Sequence, residues 1–106
     1  MTASATGTNA TAVGAESTAS DFVSDAFGTG SFAQGDESLA LGHQAWSAGK
    51  GSVAVSLVSY AEGNSGIAIG HFSDSRGDDA VVVGGSSAYD VQTGQGVSPN
   101  ARLLCL

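Results

Sequence analysis

The chain has 106 residues, a length suited to one domain, and 42% of them are apolar while 12% are charged. This composition excludes a chain kept disordered by low hydrophobicity and high charge. The net charge is −7, with Lys50, Arg76 and Arg102 as the firm cations. Clustered basic residues for nucleic acid or anionic lipid are therefore missing, and neither partner is expected.

No apolar run is long enough to span a membrane, so direct insertion of this segment is not expected. The first ten residues lack the charged and apolar regions of a signal peptide. If the parent protein is secreted, we expect this chain to be a fragment of it or to leave the cell by another route. Cys105 is the single cysteine, which predicts a fold stabilised by packing without an intrachain disulfide.

A short apolar phrase recurs along the chain, usually as an alanine between two larger residues, and a glycine or serine closes it. The closing residues are fourteen positions apart: Gly14, Gly28, Gly42, Ser56, Gly70 and Gly84. A fixed period this short indicates a solenoid, in which one unit stacks on the next.

Each unit also carries small residues two apart and then a turn glycine, as at Ala45, Ser47 and Gly49. This spacing predicts a second short strand between two tight turns. No window has the i, i+3, i+4, i+7 pattern of a helix. The predicted fold is therefore all-β, with regular coils over residues 1–91 and a degenerate last coil or cap at 92–106.

The recurring apolar stretch has apolar residues at consecutive positions and therefore on both faces of its strand, which is typical of strands buried on both faces. We interpret the large residues as facing the coil interior and the alanines as facing outward, although the opposite assignment is nearly as plausible. Either way an apolar face remains that a thin monomer cannot cover, so an oligomer is expected. The residues assigned to core or subunit packing are Leu39, Ala40, Leu41, Val53, Ala54, Val55, Ile67, Ala68, Ile69, Val81 and Val83.

Two early features break the pattern. Asp25 occupies a column that later holds Leu39 and Val53, which predicts a functional or strained point. Facing an axis between subunits, it would bring carboxylates of different copies together, whereas in the coil interior each carboxylate would need its own hydrogen-bond donors. Asp21, Phe22 and Val23 replace the polar turn seen in later units, which predicts an irregular coil there.

The fourth position after the closing residue holds aromatic side chains in three successive coils, Phe32, Trp46 and Tyr60. Strand alternation places them on the outer face, spaced by ~4.8 Å. They form either a ligand-binding surface or a stack that packs on a neighbouring subunit or stabilises the sheet. Arg76-Gly77-Asp78 spells a tripeptide found in many integrin ligands, but the repeat itself requires Gly77.

No residue pattern indicates catalysis, a metal site or a cofactor. His43 and His71 are two coils apart, about 9.6 Å at strand spacing, too far to share a zinc ion. The serines lack a Gly-x-Ser-x-Gly motif with a partnered histidine and acid. Asp74, Asp78, Asp79 and Asp90 lack the nonapeptide pattern of calcium-binding rolls and indicate a solvated acidic end.

The unit S-V-A-I-G-x-x-S-x-A-x-G resembles the head repeat of trimeric autotransporter adhesins, the YadA-like heads. The matching stretches are Ser38 to Gly49, Ser52 to Gly63 and Gly66 to Gly77, and the register extends over about residues 3–91. The C-terminal stretch from Ser98 does not look like the family.

The resemblance implies a left-handed parallel β-roll that assembles as a side-by-side homotrimer. It implies a non-enzymatic adhesin at the bacterial cell surface, anchored in the outer membrane by segments outside this chain. Its partners would be host extracellular-matrix or cell-surface components and other copies of itself. A receptor-binding or spacer segment of a viral or phage fibre is the alternative. An ice-binding solenoid is a third class, but the outward column here is aromatic and mixed.

Overall fold

The computed structural model describes residues 2–84 and the backbone of three further strands at 89–90, 95–96 and 102–105. Across these residues every regular element is a β-strand, and the strands stack as a solenoid of about six turns. The predicted all-β solenoid is confirmed. Most of the predicted last coil or cap at 92–106 lies outside the described residues, so the boundary at residue 91 stays a prediction.

The strands form two sheets on opposite sides of the coils. The short-strand sheet has two-residue strands in parallel pairing, in the order β1 Ser4–Ala5, β3 Thr18–Ala19, β5 Phe32–Ala33, β7 Trp46–Ser47, β9 Tyr60–Ala61 and β11 Asp74–Ser75. The long-strand sheet contains β2 Thr11–Val13, β4 Asp25–Phe27, β6 Leu39–Leu41, β8 Val53–Val55, β10 Ile67–Ile69 and β12 Ala80–Val83, also parallel. β15 Arg102–Cys105 pairs antiparallel with β12, and β13 Tyr89–Asp90 pairs antiparallel with β14 Gln95–Gly96.

Pairing is in strict register with the sequence repeat. Leu39 lies opposite Val53, and Val53 lies opposite Ile67. Residues fourteen apart are thus neighbours across the sheet, and each column of the sequence is a column of side chains in the fold.

The interior of the coils is made of alanine and serine. Fully buried alanines of the long-strand sheet, Ala26, Ala40, Ala54 and Ala68, face a row of small residues from the short-strand sheet. That row is Ala19, Ala33, Ser47, Ala61 and Ser75.

The interpretation that the large residues face inward is therefore wrong, and the opposite assignment is right. The columns at Leu39, Val53 and Ile67 and at Leu41, Val55 and Ile69 lie on the outer face. The physical reason is the size of the coil, since two tight turns bring the sheets so close that methyl groups already fill the space between them.

Serines line the corners where the chain turns from one sheet to the other. The hydroxyl groups of Ser17, Ser31 and Ser73 each donate to the carbonyl oxygen three residues earlier, at 2.8–2.9 Å. Ser52 does the same toward Gly49 at 2.6 Å and contacts Ser47 Oγ across the interior. Among buried side-chain oxygens in the described residues, Ser38 Oγ is the exception that has no hydrogen-bond partner.

The turns use left-handed backbone, and some hold residues that disfavour it. Gly70, at φ 130°, meets this demand without strain, and a side chain there would also overlap the Gly84 carbonyl. Val23 and Val58, with φ 54° and 55°, are β-branched residues for which this region is a genuine outlier.

The turn at 21–23 follows the same plan as its neighbours, so the prediction of an irregular coil is wrong. The Val23 amide donates to the Thr8 carbonyl at 2.9 Å, just as the Glu37 amide donates to the Phe22 carbonyl at 2.7 Å. The backbone bonds between successive turns do not depend on side-chain polarity, and they hold Val23 in the left-handed conformation.

Candidate binding surfaces

The outer face of the long-strand sheet is a broad apolar surface. Two side-chain columns form it, because residues at the first and third positions of each strand point away from the alanine interior. Leu41 and Ile69 remain 44% and 37% exposed in the single chain. The turns that follow the long strands, called the first turns below, continue this surface at Leu57 and Phe72. The Phe72 ring stacks on the His71 ring with centroids 4.2 Å apart. Exposed apolar faces of this kind are typical of surfaces that contact another molecule.

Asp25 lies on that same outer face, half-buried, in the column that continues with Leu39. The alternative in which its carboxylate lies inside the roll and needs donors there is thereby excluded. Its neighbours across the sheet are Thr11 and Leu39. Whether three copies of Asp25 meet at an axis stays a prediction.

The outer face of the short-strand sheet carries a stacked aromatic column. The Phe32 and Trp46 ring centroids are 5.4 Å apart with planes at 19°, and those of Trp46 and Tyr60 are 5.1 Å apart at 4°. The strand register brings these residues together, because Phe32 pairs with Trp46 and Trp46 with Tyr60. The rings cover each other's faces, so the column presents mainly ring edges, and Trp46 is 39% exposed.

Polar neighbours fix the orientation of the column. Trp46 Nε1 donates to Gln34 Oε1 at 3.2 Å, and the Tyr60 hydroxyl donates to Glu62 Oε2 at 3.3 Å. The Arg76 guanidinium lies 5.8 Å from the Tyr60 ring centroid, within cation–π range. Burial raises the pKa of the Tyr60 phenol above its usual value of 10.0, and the neighbouring Glu62 carboxylate adds to this shift.

The structure places Arg76, Gly77 and Asp78 within intrachain contacts. Arg76 Nε lies 3.2 Å from Asp74 Oδ1, and Asp78 Oδ1 accepts the Asn64 amide at 3.0 Å. Gly77 stacks beneath Gly63, where an added side chain on Gly63 would overlap the Gly77 carbonyl. Both charged side chains thus have partners within the chain, and integrin binding stays a prediction without added support.

A ladder of side-chain acceptors runs along the second turns, which are the turns that follow the short strands. The sequence did not lead us to predict it. Asp36, Asn64 and Asp78 occupy one column, and each accepts the backbone amide one coil earlier, from Phe22, Lys50 and Asn64 at 3.0–3.3 Å. Lys50 stands in the same column without an acceptor in its side chain. The available signal was the presence of Asp or Asn at three of the four positions 36, 50, 64 and 78, which are fourteen residues apart.

Within the described part of the chain, no three His, Cys, Asp or Glu residues are placed to hold a metal ion. His43 and His71 are exposed, as are Asp78 and Asp79, whereas Asp90 is described as backbone alone. No pocket opens in the surface formed by the described residues. The described residues include no helix that is both long and apolar enough to cross a membrane.

A family model described as the YadA head domain repeat, in two copies, matches residues 5–21, 24–42, 33–55 and 61–87. The chain belongs to the YadA head domain family. YadA head domains are adhesin-type, non-enzymatic segments of bacterial surface proteins, and they form trimers in general. A search of curated proteins and a search of solved structures each found no match to this chain.

The predicted YadA-like resemblance is therefore confirmed. The matches begin and end within the stretch predicted from the repeat register. None reaches the residues from Ser98 onward.

Proposed function

We propose that this YadA head segment is the adhesive part of a trimeric autotransporter. Three left-handed rolls lie side by side around a threefold axis, with the long-strand sheets turned toward the axis. The observation that carries this proposal is the apolar outer face of the long-strand sheet, formed in part by Leu41 and Ile69. The proposal is supported by the fact that domains of this family form trimers in general.

In this arrangement the short-strand sheet faces the surroundings. Its outer face carries the aromatic column of Phe32, Trp46 and Tyr60, and aromatic residues are enriched among side chains that dominate binding energy. A flat surface suits a macromolecule better than a small molecule. The partners would be host extracellular-matrix or cell-surface components and other copies of the head, with outer-membrane anchoring by segments outside this chain.

Two measurements on the purified segment test the proposal. Sedimentation at micromolar concentration is expected to give a trimer, and a stable monomer would contradict the assembly. Acrylamide is expected to quench Trp46 fluorescence in the assembled protein, because the residue is exposed on the face turned outward. Full protection of Trp46 in a trimer would instead place the aromatic column between subunits and remove it as a ligand surface.

A further inference from the structure

A single apolar turn interrupts the polar ridge formed by the second turns. The two central residues of the second turn are polar or glycine in later coils: Asp36-Glu37, Lys50-Gly51, Asn64-Ser65 and Asp78-Asp79. The coil between them and the N-terminus carries Phe22-Val23 instead. Phe22 is 52% exposed, and Val23 is also exposed to solvent.

The backbone of this turn is strained for the residue it holds. Val23 adopts φ 54°, a region in which a β-branched side chain is disfavoured and in which the equivalent Gly51 fits freely. Strained residues that persist in a fold cluster at sites of function. The equivalent position in other coils holds Asn9, Glu37, Ser65 and Asp79 with a similar positive φ. The fold itself therefore does not require an apolar residue at position 23.

Hydrogen bonds on both sides hold the turn rigidly. The Phe22 amide donates to Asp36 Oδ1 at 3.3 Å, and the Phe22 carbonyl accepts the Glu37 amide at 2.7 Å. Ser24 Oγ donates to the Asp21 carbonyl at 2.7 Å. A rigid apolar anchor loses little conformational freedom when a partner binds it.

The surroundings of the turn are strongly acidic. Asp21 is its first residue, Asp25 begins the next strand, and Asp36 and Glu37 form the adjacent turn. The chain has no lysine or arginine before Lys50. An apolar anchor ringed by carboxylates is complementary to an apolar residue flanked by lysine or arginine.

A second copy of the chain does not supply that complement. It carries the same net charge of −7 and the same lack of lysine and arginine before Lys50, so two such acidic regions repel each other.

We propose that the Phe22-Val23 turn, with the carboxylates of Asp21, Asp36 and Glu37, is a docking site for a basic segment of a partner protein that inserts an apolar side chain between cationic ones. The site deepens the proposed adhesive function by assigning it a partner chemistry. It is separate from the aromatic column on the short-strand sheet.

The test uses the whole chain and a short fluorescein-labelled peptide of alternating leucine and lysine, with a leucine–glutamate peptide as the charge control. Wild type is expected to bind the lysine peptide and not the glutamate peptide, and binding should weaken with salt. Phe22→Asn, which places there the residue found at Asn64, should reduce the affinity about tenfold or more. Asp36→Asn keeps an acceptor for the Phe22 amide and should weaken binding mainly at low salt.

The matched control is Ser65→Asn, because Ser65 is exposed, occupies the Val23 position three coils further along the chain, and lies outside both the docking site and the apolar face of the long-strand sheet. The affinity of this variant for the lysine peptide should stay within about twofold of wild type. No binding by wild type, or equal losses in the Phe22 and Ser65 variants, would overturn the proposal. Sedimentation of the same samples separates the two proposals: dissociation caused by Phe22→Asn would make Phe22 a subunit contact, and a monomeric wild type that still binds the peptide would refute only the trimer.

Discussion

The inner and outer sides of the long-strand sheet are built from neighbouring residues in the same strands, yet they follow different rules. Ala40, Ala54 and Ala68 point inward and are completely buried, whereas Leu41 and Ile69 point outward and stay exposed. In most domains the large apolar residues fill the core. Here the core is too thin to hold them, and they are displayed.

The difference shows that single-chain stability and assembly are assigned to separate columns. Backbone pairing and close packing of methyl and hydroxyl groups hold the coil together, while the large side chains contribute most of their burial only when another molecule covers them. Substitutions on the two sides should therefore fail in different ways.

The largest effect is expected from Ala54→Phe, which places a ring in an interior that methyl groups already fill. We expect a loss of at least about 3 kcal/mol per chain, at or beyond the upper range for overpacked cores. Thermal melting by circular dichroism measures it, with Val55→Phe on the outer side as the matched control. Equal melting temperatures for Ala54→Phe and wild type would show that this column is not enclosed.

Leu41→Asp tests the outer side of the same sheet. A carboxylate in a dry subunit contact lacks partners, so we expect a loss of about 2–3 kcal/mol per contact and dissociation at micromolar concentration. The fold of the separated chain should persist, because Leu41 contributes nothing to the interior. Sedimentation and circular dichroism together measure both parts. Ala48→Asp, directly after β7 in the sequence column that also holds Gln34 and Glu62, should leave the trimer intact, and dissociation of that control would reverse the assignment of faces.

The interior serines offer a matched pair of smaller substitutions. Ser52→Ala removes a hydroxyl that bonds to Gly49 and Ser47, which should lower the free energy of unfolding by about 1–2 kcal/mol. Ser38→Ala removes a buried hydroxyl without a hydrogen-bond partner, so its effect should be neutral or slightly stabilising. Denaturant titration compares the two variants. A larger loss at Ser38 than at Ser52 would mean that the Ser38 hydroxyl is satisfied in solution.

A smaller effect than that of Ser52→Ala, and of opposite sign, is expected from Asp25→Val, which makes the outer column continuous with Leu39. Removing a half-buried carboxylate from an apolar surface should raise the stability of the assembly by about 1 kcal/mol. Thermal melting of the trimer measures the gain, with Asp25→Asn as a control for loss of charge alone. A lower melting temperature for the valine variant would show that the carboxylate is well satisfied in the assembly.

The sequence by itself determined the repeat, the strands and the register. A period of fourteen residues with turn glycines and small residues at fixed positions leaves few choices, because parallel coils can stack in register only if every column repeats. The strand alternation also located the aromatic column of Phe32, Trp46 and Tyr60 on an outer face. The family assignment depended on the same columns, which is why it could be made from the residues alone.

Only the tertiary structure decided which side of the apolar strands faces inward. Ala54 and Val55 are both apolar, so hydrophobicity could not separate the two sides, and the usual preference for large residues in cores favoured the wrong one. The distance between the sheets settles it, and that distance follows from how tightly the turns close. The same holds for the turn at 21–23, where backbone bonds to Thr8 and Glu37 override the preference of Val23. These bonds join residues fifteen positions apart, so the local sequence around Val23 does not indicate them.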